Sequence, residues 1–225
     1  MAGDSLATVR AEVVACVRCP RLVAWREETA HTKRASYLTD EYWGRPVPGW
    51  GEPEARLVVV GLAPAAHGGN RTGRIFTGDR SGDWLFRAMH RAGFASQPES
   101  THRDDGLQLI DAYITASVRC APPQNRPSTE ERHACAPYLE RELRLLDRSK
   151  VVLALGGIAM ETVAALSGLR PRPKFGHGEE AGLPDGRVLL ASYHPSQQNT
   201  FTGRLTEPML DAVFGRARAI IEGEA

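Results

Sequence analysis

The most chemically suggestive segment runs from Gly61 to Asp79, directly after the apolar run 57–60. It is too glycine-rich to pack as core, and it contains an aromatic ring, Phe76, and a carboxylate, Asp79. A buried strand that ends in such a loop presents these groups at the carboxyl edge of a sheet, where open α/β folds bind their ligands. The segment is therefore predicted to be a ligand-binding loop.

Four cysteines form a second set with chemical potential: Cys16, Cys19, Cys120 and Cys135. Their spacing is C-x2-C, a gap of 100 residues, and C-x14-C. The first pair places two sulfurs on one side of a tight turn, where a single metal centre can take both. The count fits one four-thiolate site, and spacing alone leaves zinc and an iron–sulfur cluster open. Free buried thiols are the alternative, because cysteine is among the most buried residue types.

Two further polar loops follow strand-like segments. The run 111–118 leads into the segment 119–127, whose three prolines exclude regular structure. The run 188–193 leads to His194, which precedes Pro195 and Ser196. Three strand ends therefore carry polar loops, at 61–79, 120–126 and 194–204, and functional residues are expected on them.

The elements that must position these loops alternate between apolar strand-like runs and helix-like periodic segments, which indicates an α/β fold. We predict a three-layer α/β/α sandwich with a central four-stranded, mainly parallel sheet. The length of 225 residues suits a single domain over 1–225. Helices are predicted near 5–17, 83–92, 128–146, 158–167 and 207–221. A long ordered loop rich in aromatic residues is predicted over 24–54, and a polar loop over 197–206.

Composition narrows the class of protein. Hydrophobic residues at 42% and charged residues at 24% are ordinary for a folded chain and argue against disorder. The net charge of +1 neither indicates nor excludes a polyanion partner. Three lysines leave 25 arginines among the 28 basic residues, which suits phosphate contact but is explained more simply by a GC-rich coding bias. The apolar runs are too short to cross a bilayer and no leader pattern is present, so a cytoplasmic protein is predicted.

Three motifs together support a family comparison. They are G-L-A-P-A-x-H-G-x-N-R-T-G-R-x-F-T-G-D at 61–79, V-R-C-A-P-P ending at Pro123, and S-Y-H-P-S-x-Q-N-T-F-T-G-R-L-T at 192–206. In this order, they closely resemble the family 5 uracil-DNA glycosylases of prokaryotes, over nearly the whole chain. The cysteine pattern is similar to that of the same family and of family 4, in which four cysteines bind a 4Fe–4S cluster. The resemblance thus implies a structural 4Fe–4S cluster on Cys16, Cys19, Cys120 and Cys135.

The resemblance also implies an activity, the hydrolysis of the N-glycosidic bond of a damaged base flipped out of double-stranded DNA, in base-excision repair. Phe76 is expected to stack on the base, and Asp79 to orient or activate the attacking water. His194 is expected to stabilise negative charge on the leaving base. Other residues expected to contact the substrate are Gly61, Leu62, Ala63, Asn125, Ser196, Gln197, Asn199 and Arg204. We expect a monomer that acts without a membrane.

Two positions depart from the wider superfamily. Ala63 stands where many relatives carry Asp or Asn, and Ala116 stands where family 4 has Asn. A pocket without these polar groups should read uracil less strictly, in keeping with the base range attributed to family 5: uracil, hydroxymethyluracil, hypoxanthine, xanthine and ethenocytosine. The alternatives are a catalytically weak lesion-binding iron–sulfur protein of the same fold and, more distantly, an iron–sulfur electron carrier.

Overall fold

The computed structural model describes residues 3–224. The strands are β1 (Trp50–Gly51), β2 (Leu57–Gly61), β3 (Ala112–Ala116), β4 (Val151–Leu155), β5 (Glu180–Gly182) and β6 (Val188–Ser192). The helices are α1 (Leu6–Val14), α2 (Pro20–Thr32), α3 (Gly69–Thr72), α4 (Arg80–Arg91), α5 (Thr129–Leu145), α6 (Gly157–Leu166), α7 (Gln197–Phe201) and α8 (Glu207–Glu222). Two 3-10 turns lie at Ala35–Tyr37 and Pro123–Asn125.

The strands form one mixed sheet in the order β1-β3-β2-β4-β6-β5. The four central strands, β3, β2, β4 and β6, are parallel, and β1 and β5 pair antiparallel at the two edges. The predicted α/β class with a mainly parallel sheet is confirmed. The predicted count of four strands was too low, because the edge strands are only two and three residues long and have no apolar run that would reveal them.

Helices cover both faces of this sheet. Along β2, Leu57 and Val59 join one core cluster with Phe86 of α4 and Phe214 of α8. The residues between them, Val58 and Val60, join a second cluster with α5 and α6. Because alternate side chains of a strand point to opposite faces, an uninterrupted apolar run is what a strand covered on both sides requires. The layers predicted from the sequence are therefore present.

The segment 24–54 is not the single long loop that the sequence predicts. Its first part belongs to α2, which begins at Pro20 and continues to Thr32. The buried residues of α2 are Leu22, Arg26 and Thr29. A face that contains a buried arginine and a buried threonine has no apolar periodicity, so the helix was missed. Similarly, the predicted polar loop 197–206 contains the short helix α7.

Local signals at the helix starts were more informative. Ser128 precedes α5, at the predicted start of this helix, and forms a capping box with Glu131. Ser5 caps α1 by accepting a hydrogen bond from the backbone of Thr8. Among the helices of residues 3–224, none combines the length and the apolar character needed to cross a membrane.

Candidate active site

The three polar loops meet at the carboxyl edge of the parallel strands, where they enclose a pocket of about 630 Å³. One loop follows β2, the second follows β3 and the third follows β6. Parallel strands place their carboxyl ends on one edge, so chain segments far apart in sequence converge there. The lining residues are Leu62, Ala63, Ala65, Phe76, Asp79, Arg80, Ser81, Gln124, Asn125, Arg126, His194, Ser196, Gln197 and Gln198.

Phe76 is held in the pocket wall by an unusual backbone conformation. Its φ angle is +58°, and its side chain is only 6% exposed. The ring edge lies against Gly61, where an added Cβ would come within 2.9 Å of two ring carbons. A Cβ on Gly82 would overlap the carbonyl oxygen of Phe76. Two glycines therefore make the space that this ring and its backbone occupy, and positive φ in a non-glycine residue is common at functional sites.

Asp79 lies at the start of α4, where it serves as the N-cap. Its Oδ1 accepts a hydrogen bond of 3.0 Å from the backbone N–H of Gly82. Burial raises the pKa of the Asp79 carboxyl to about 6, and the backbone N–H groups of Gly82 and Ser81 oppose this rise. The group is therefore mostly ionised at neutral pH but is a stronger base than an ordinary aspartate. A Cβ on Gly68 would overlap Oδ2 of Asp79, so this glycine also keeps space for the site.

His194 faces the same pocket from the loop after β6. Burial lowers the pKa of its imidazole to about 4, so the ring is neutral at physiological pH. Its ring centroid lies 5.8 Å from that of Phe76. The carbonyl oxygen of His194 accepts two hydrogen bonds, from Ser196 N and from Asn199 Nδ2, each 2.8 Å long. These bonds fix the backbone at His194. A neutral imidazole can donate one N–H to a ligand without carrying charge.

Two arginines, Arg71 and Arg74, attach the loop between β2 and α4 to the rest of the fold. Arg71 pairs with Asp40 at 2.6 Å and also donates to the carbonyl of Gly78 at 3.0 Å. Arg74 is buried and pairs with Asp105 at 2.6 Å. These contacts hold the loop to the rest of the fold, so Phe76 and Asp79 are positioned before any ligand binds.

Eight of the eleven residues that the sequence suggested for catalysis or substrate contact line the pocket: Leu62, Ala63, Phe76, Asp79, Asn125, His194, Ser196 and Gln197. The other three lie outside its lining. Gly61 is buried behind Phe76. Asn199 instead holds the His194 carbonyl, and the exposed Arg204 stacks over Tyr193 with its guanidinium carbon 4.6 Å from the ring centre.

Six further residues of the pocket lining were not predicted from the sequence: Ala65, Arg80, Ser81, Gln124, Arg126 and Gln198. Arg80 follows Asp79 directly and lies over the ring of Phe201, 4.6 Å from its centre. Phe201 is 67% exposed, which is unusual for a large apolar side chain. Phe201 lies among polar residues in the motif that ends at 206, and this position is the sequence signal that could have identified Phe201. An exposed aromatic ring therefore lies against Arg80, a residue of the pocket lining.

The four cysteines come together in another part of the fold. All four line one small cavity. Cys19 directly precedes α2, Cys135 lies in α5, and all four are free thiols. Burial raises the pKa of Cys135 to about 12. Across residues 3–224, no group of three or more histidine, cysteine, aspartate or glutamate side chains has an arrangement that could hold a metal ion.

Comparisons with known proteins agree with this geometry. The family model of the uracil DNA glycosylase superfamily matches residues 48–218. A type-5 uracil-DNA glycosylase of Thermus thermophilus is 54% identical over 209 residues, 92% of this chain and 94% of that protein. One from Mycobacterium bovis is 52% identical over 221 residues, 97% of this chain and 82% of that protein. A type-4 uracil-DNA glycosylase of Pyrobaculum aerophilum is 32% identical over 190 residues, 81% of this chain and 85% of that protein.

The family match covers all three loops of the pocket, and the Mycobacterium bovis relative, which matches 97% of this chain, also extends over the amino-terminal segment that carries Cys16 and Cys19. Identity above 50% over most of both chains is far beyond a shared fold alone. The chain belongs to the uracil-DNA glycosylase superfamily and, within it, to the type-5 group.

Proposed function

We propose that this protein hydrolyses the N-glycosidic bond of uracil in double-stranded DNA and leaves an abasic site. The observation that carries the proposal is the pairing of two groups in one pocket, a basic carboxylate on Asp79 and a neutral imidazole on His194. Such a pair can accept a proton from water and donate a hydrogen bond to a leaving group at the same pH. The type-5 relatives are named for this activity.

The target base must leave the duplex, because its glycosidic bond is inaccessible inside the stack. Phe76 offers a ring face to a planar base, and base–aromatic stacking contributes about 1–3 kcal/mol per base. A base stacked on Phe76 would also lie close to His194, because the centroids of the two side-chain rings are 5.8 Å apart. The exposed ring of Phe201, which Arg80 of the pocket lining contacts, supports a contact with the opened duplex beside the pocket.

Hydrolysis then needs a base for water and stabilisation of the departing anion. Asp79 accepts a proton from the water whose oxygen bonds to C1′ of the sugar. The bond between C1′ and the base nitrogen breaks, and its electron pair leaves with the base. A neutral His194 donates an N–H to a carbonyl oxygen of the base as negative charge grows there, and the released base is then protonated. One preorganised donor of this kind contributes on the order of 3 kcal/mol.

The proposed base range is wider than uracil and includes hydroxymethyluracil, hypoxanthine, xanthine and ethenocytosine. The support is the pocket wall at Ala63, which presents a methyl group where many relatives carry a polar side chain. A site that hydrogen-bonds one base closely rejects analogues by roughly 10⁴-fold, because mismatched polar groups stay unpaired. Ala63 provides no such group, so the pocket discriminates less.

A 4Fe–4S cluster is the proposed cofactor, held by Cys16, Cys19, Cys120 and Cys135. The four thiols fit it because they share one cavity. The cysteine spacing, which is similar to that of families 4 and 5, favours the cluster over a single zinc ion. When bound, the cluster supplies covalent cross-links among three chain segments, and the hydrolysis itself needs no electron transfer.

The test of catalysis is a strand-cleavage assay after alkali on duplex DNA containing G·U. Wild-type protein, purified without oxygen, is expected to give abasic product, and Asp79→Asn to lose roughly 10²- to 10⁴-fold in rate. Asp83→Asn is the matched control, since Asp83 is an exposed acid in the first turn of the same helix. Binding of uracil-containing duplex without any product would instead support the lesion-binding alternative, and full activity of Asp79→Asn would overturn the assignment of Asp79.

The base range is tested on the same protein with duplexes and single strands that carry each candidate base. Comparable kcat/KM values for uracil, hypoxanthine, xanthine and hydroxymethyluracil are expected. Ala63→Asn should reduce activity on the purines more than on uracil, because an amide adds polar groups that only some bases can satisfy. A wild-type preference for uracil on the order of 10⁴ would contradict the proposed breadth.

A further inference from the structure

Arg26 is a buried cation whose charge has no buried partner among the carboxylates. Three arginines in residues 3–224 are buried: Arg26, Arg74 and Arg119. Arg74 pairs with Asp105, and Arg119 pairs with Glu142, both buried or nearly so. The only carboxylate within ion-pair distance of Arg26 in this part of the chain is that of Glu27, which is 61% exposed and 3.5 Å away.

The guanidinium of Arg26 points to the cysteine cavity. Nη1 lies 3.2 Å from Sγ of Cys120 and 3.2 Å from the carbonyl oxygen of Cys16. Nε is buried and has no hydrogen-bond partner. Leaving a buried charge without a counter-charge costs several kcal/mol, so such a residue is expected only where an anion lies beside it. The groups beside Arg26 that can become anionic are the cysteine sulfurs.

The position of Arg26 is fixed by its own backbone. Its carbonyl oxygen accepts a hydrogen bond of 3.1 Å from Nδ2 of Asn70, which is fully buried in α3. Two other cations lie near the thiols. Arg18 is exposed and lies over the ring of Tyr138, and Arg119, whose backbone N–H donates to Sγ of Cys135 at 3.3 Å, has its guanidinium paired with the buried Glu142. The nearby acid Glu131 is occupied by Arg21, at 2.8 and 2.6 Å. Arg26 is therefore the cation held in place to face the sulfurs.

We infer that Arg26 is a positioning residue for the iron–sulfur site, where its guanidinium donates a hydrogen bond to the thiolate of Cys120 and compensates the negative charge of the thiolate-ligated group. The inference rests on the proposed cofactor. Net charge and hydrogen bonds to the sulfurs set the reduction potential of such a centre. A positive charge and a hydrogen-bond donor beside Cys120 stabilise the reduced cluster, which carries one more negative charge than the oxidised cluster. They therefore raise the reduction potential of the cluster. They also hold the ligand and slow the loss of iron.

The experiment uses the whole, cluster-loaded protein purified without oxygen. Arg26→Met and the milder Arg26→Gln remove the charge, and Arg26→Lys keeps it. Arg74→Met is the control, because it removes an equally buried arginine that contacts no cysteine. The readouts are the reduction potential of the cluster and the rate at which an Fe(II) chelator removes its iron, each beside the melting temperature of the same sample.

The neutral Arg26 variants are expected to release iron roughly 10- to 100-fold faster and to have a more negative potential. Arg26→Lys should retain most of the wild-type potential. Arg74→Met should melt earlier but keep both cluster properties. Wild-type potential and release rate in Arg26→Gln would overturn the role of Arg26 while leaving the cofactor proposal intact. Wild-type protein without iron and sulfide would overturn the cofactor proposal itself, and this inference with it.

Discussion

Replacement of Asp79 by asparagine should stabilise the protein while it removes the activity. Burial raises the pKa of Asp79 from 3.8 to about 6, so ionisation of this group opposes folding. In the unfolded chain the carboxyl ionises from pH 3.8 upward, whereas in the folded protein it resists ionisation up to about 6. The folded state is therefore penalised progressively through this window, and the penalty is complete above pH 6.

The magnitude follows from the shift. A shift of one pKa unit corresponds to about 1.4 kcal/mol, so the shift from 3.8 to about 6 is at most about 3 kcal/mol. The side chain faces an open pocket and is not fully enclosed, so solvent screening lowers the expected gain to about 1–2 kcal/mol. Asparagine can still accept the hydrogen bond from Gly82 N, so the cap of α4 is kept. For a chain of this size the melting temperature should rise by roughly 2–8 °C.

The assay is thermal unfolding of wild type, Asp79→Asn and the exposed control Asp83→Asn at pH 7.5 and at pH 4.5. At pH 4.5 the folded carboxyl is already protonated, so only about a third of the gain should remain. Asp83→Asn should leave the melting temperature nearly unchanged, because it loses a favourable interaction with the helix dipole and also a repulsion with the Asp79 carboxylate. An Asp79→Asn protein that melts no later than wild type at pH 7.5, or a gain that does not shrink at pH 4.5, would refute the reasoning.

Two further predictions concern the same pocket. The value of kcat/KM for uracil release should rise about tenfold per pH unit up to about pH 6 and then level off, since Asp79 must be ionised to accept a proton; a flat profile between pH 5 and 7 in steady-state assays would contradict this role. Gly68→Ala should reduce activity strongly, because its Cβ would overlap Oδ2 of Asp79, whereas Gly215→Ala on α8, with open space around its Cβ, should retain activity; equal activities of the two variants would show that the space at Gly68 is not needed.

Much of the fold was readable from local patterns. The runs 57–60 and 151–155 are uninterrupted apolar segments, and each became a central strand covered on both faces. The capping box at Ser128 marked the start of α5. Three elements were not predicted from the sequence. The edge strands β1 and β5 are very short, and helix α2 buries an arginine and a threonine. These elements owe their stability to neighbours distant in sequence, and their own residues carry no periodic signal.

The sequence alone determined the chemical inventory of this protein: the loop that ends at Asp79, the histidine before Pro195, and four cysteines with the spacing of one site. Only the tertiary structure decided that Asp79 becomes more basic and His194 stays neutral, because burial in a pocket built from three distant loops sets both pKa values. It also decided that Arg204 lies away from the pocket and that Arg26 faces Cys120. Residue type and spacing are local properties, whereas desolvation and charge compensation depend on contacts that exist only once the chain has folded.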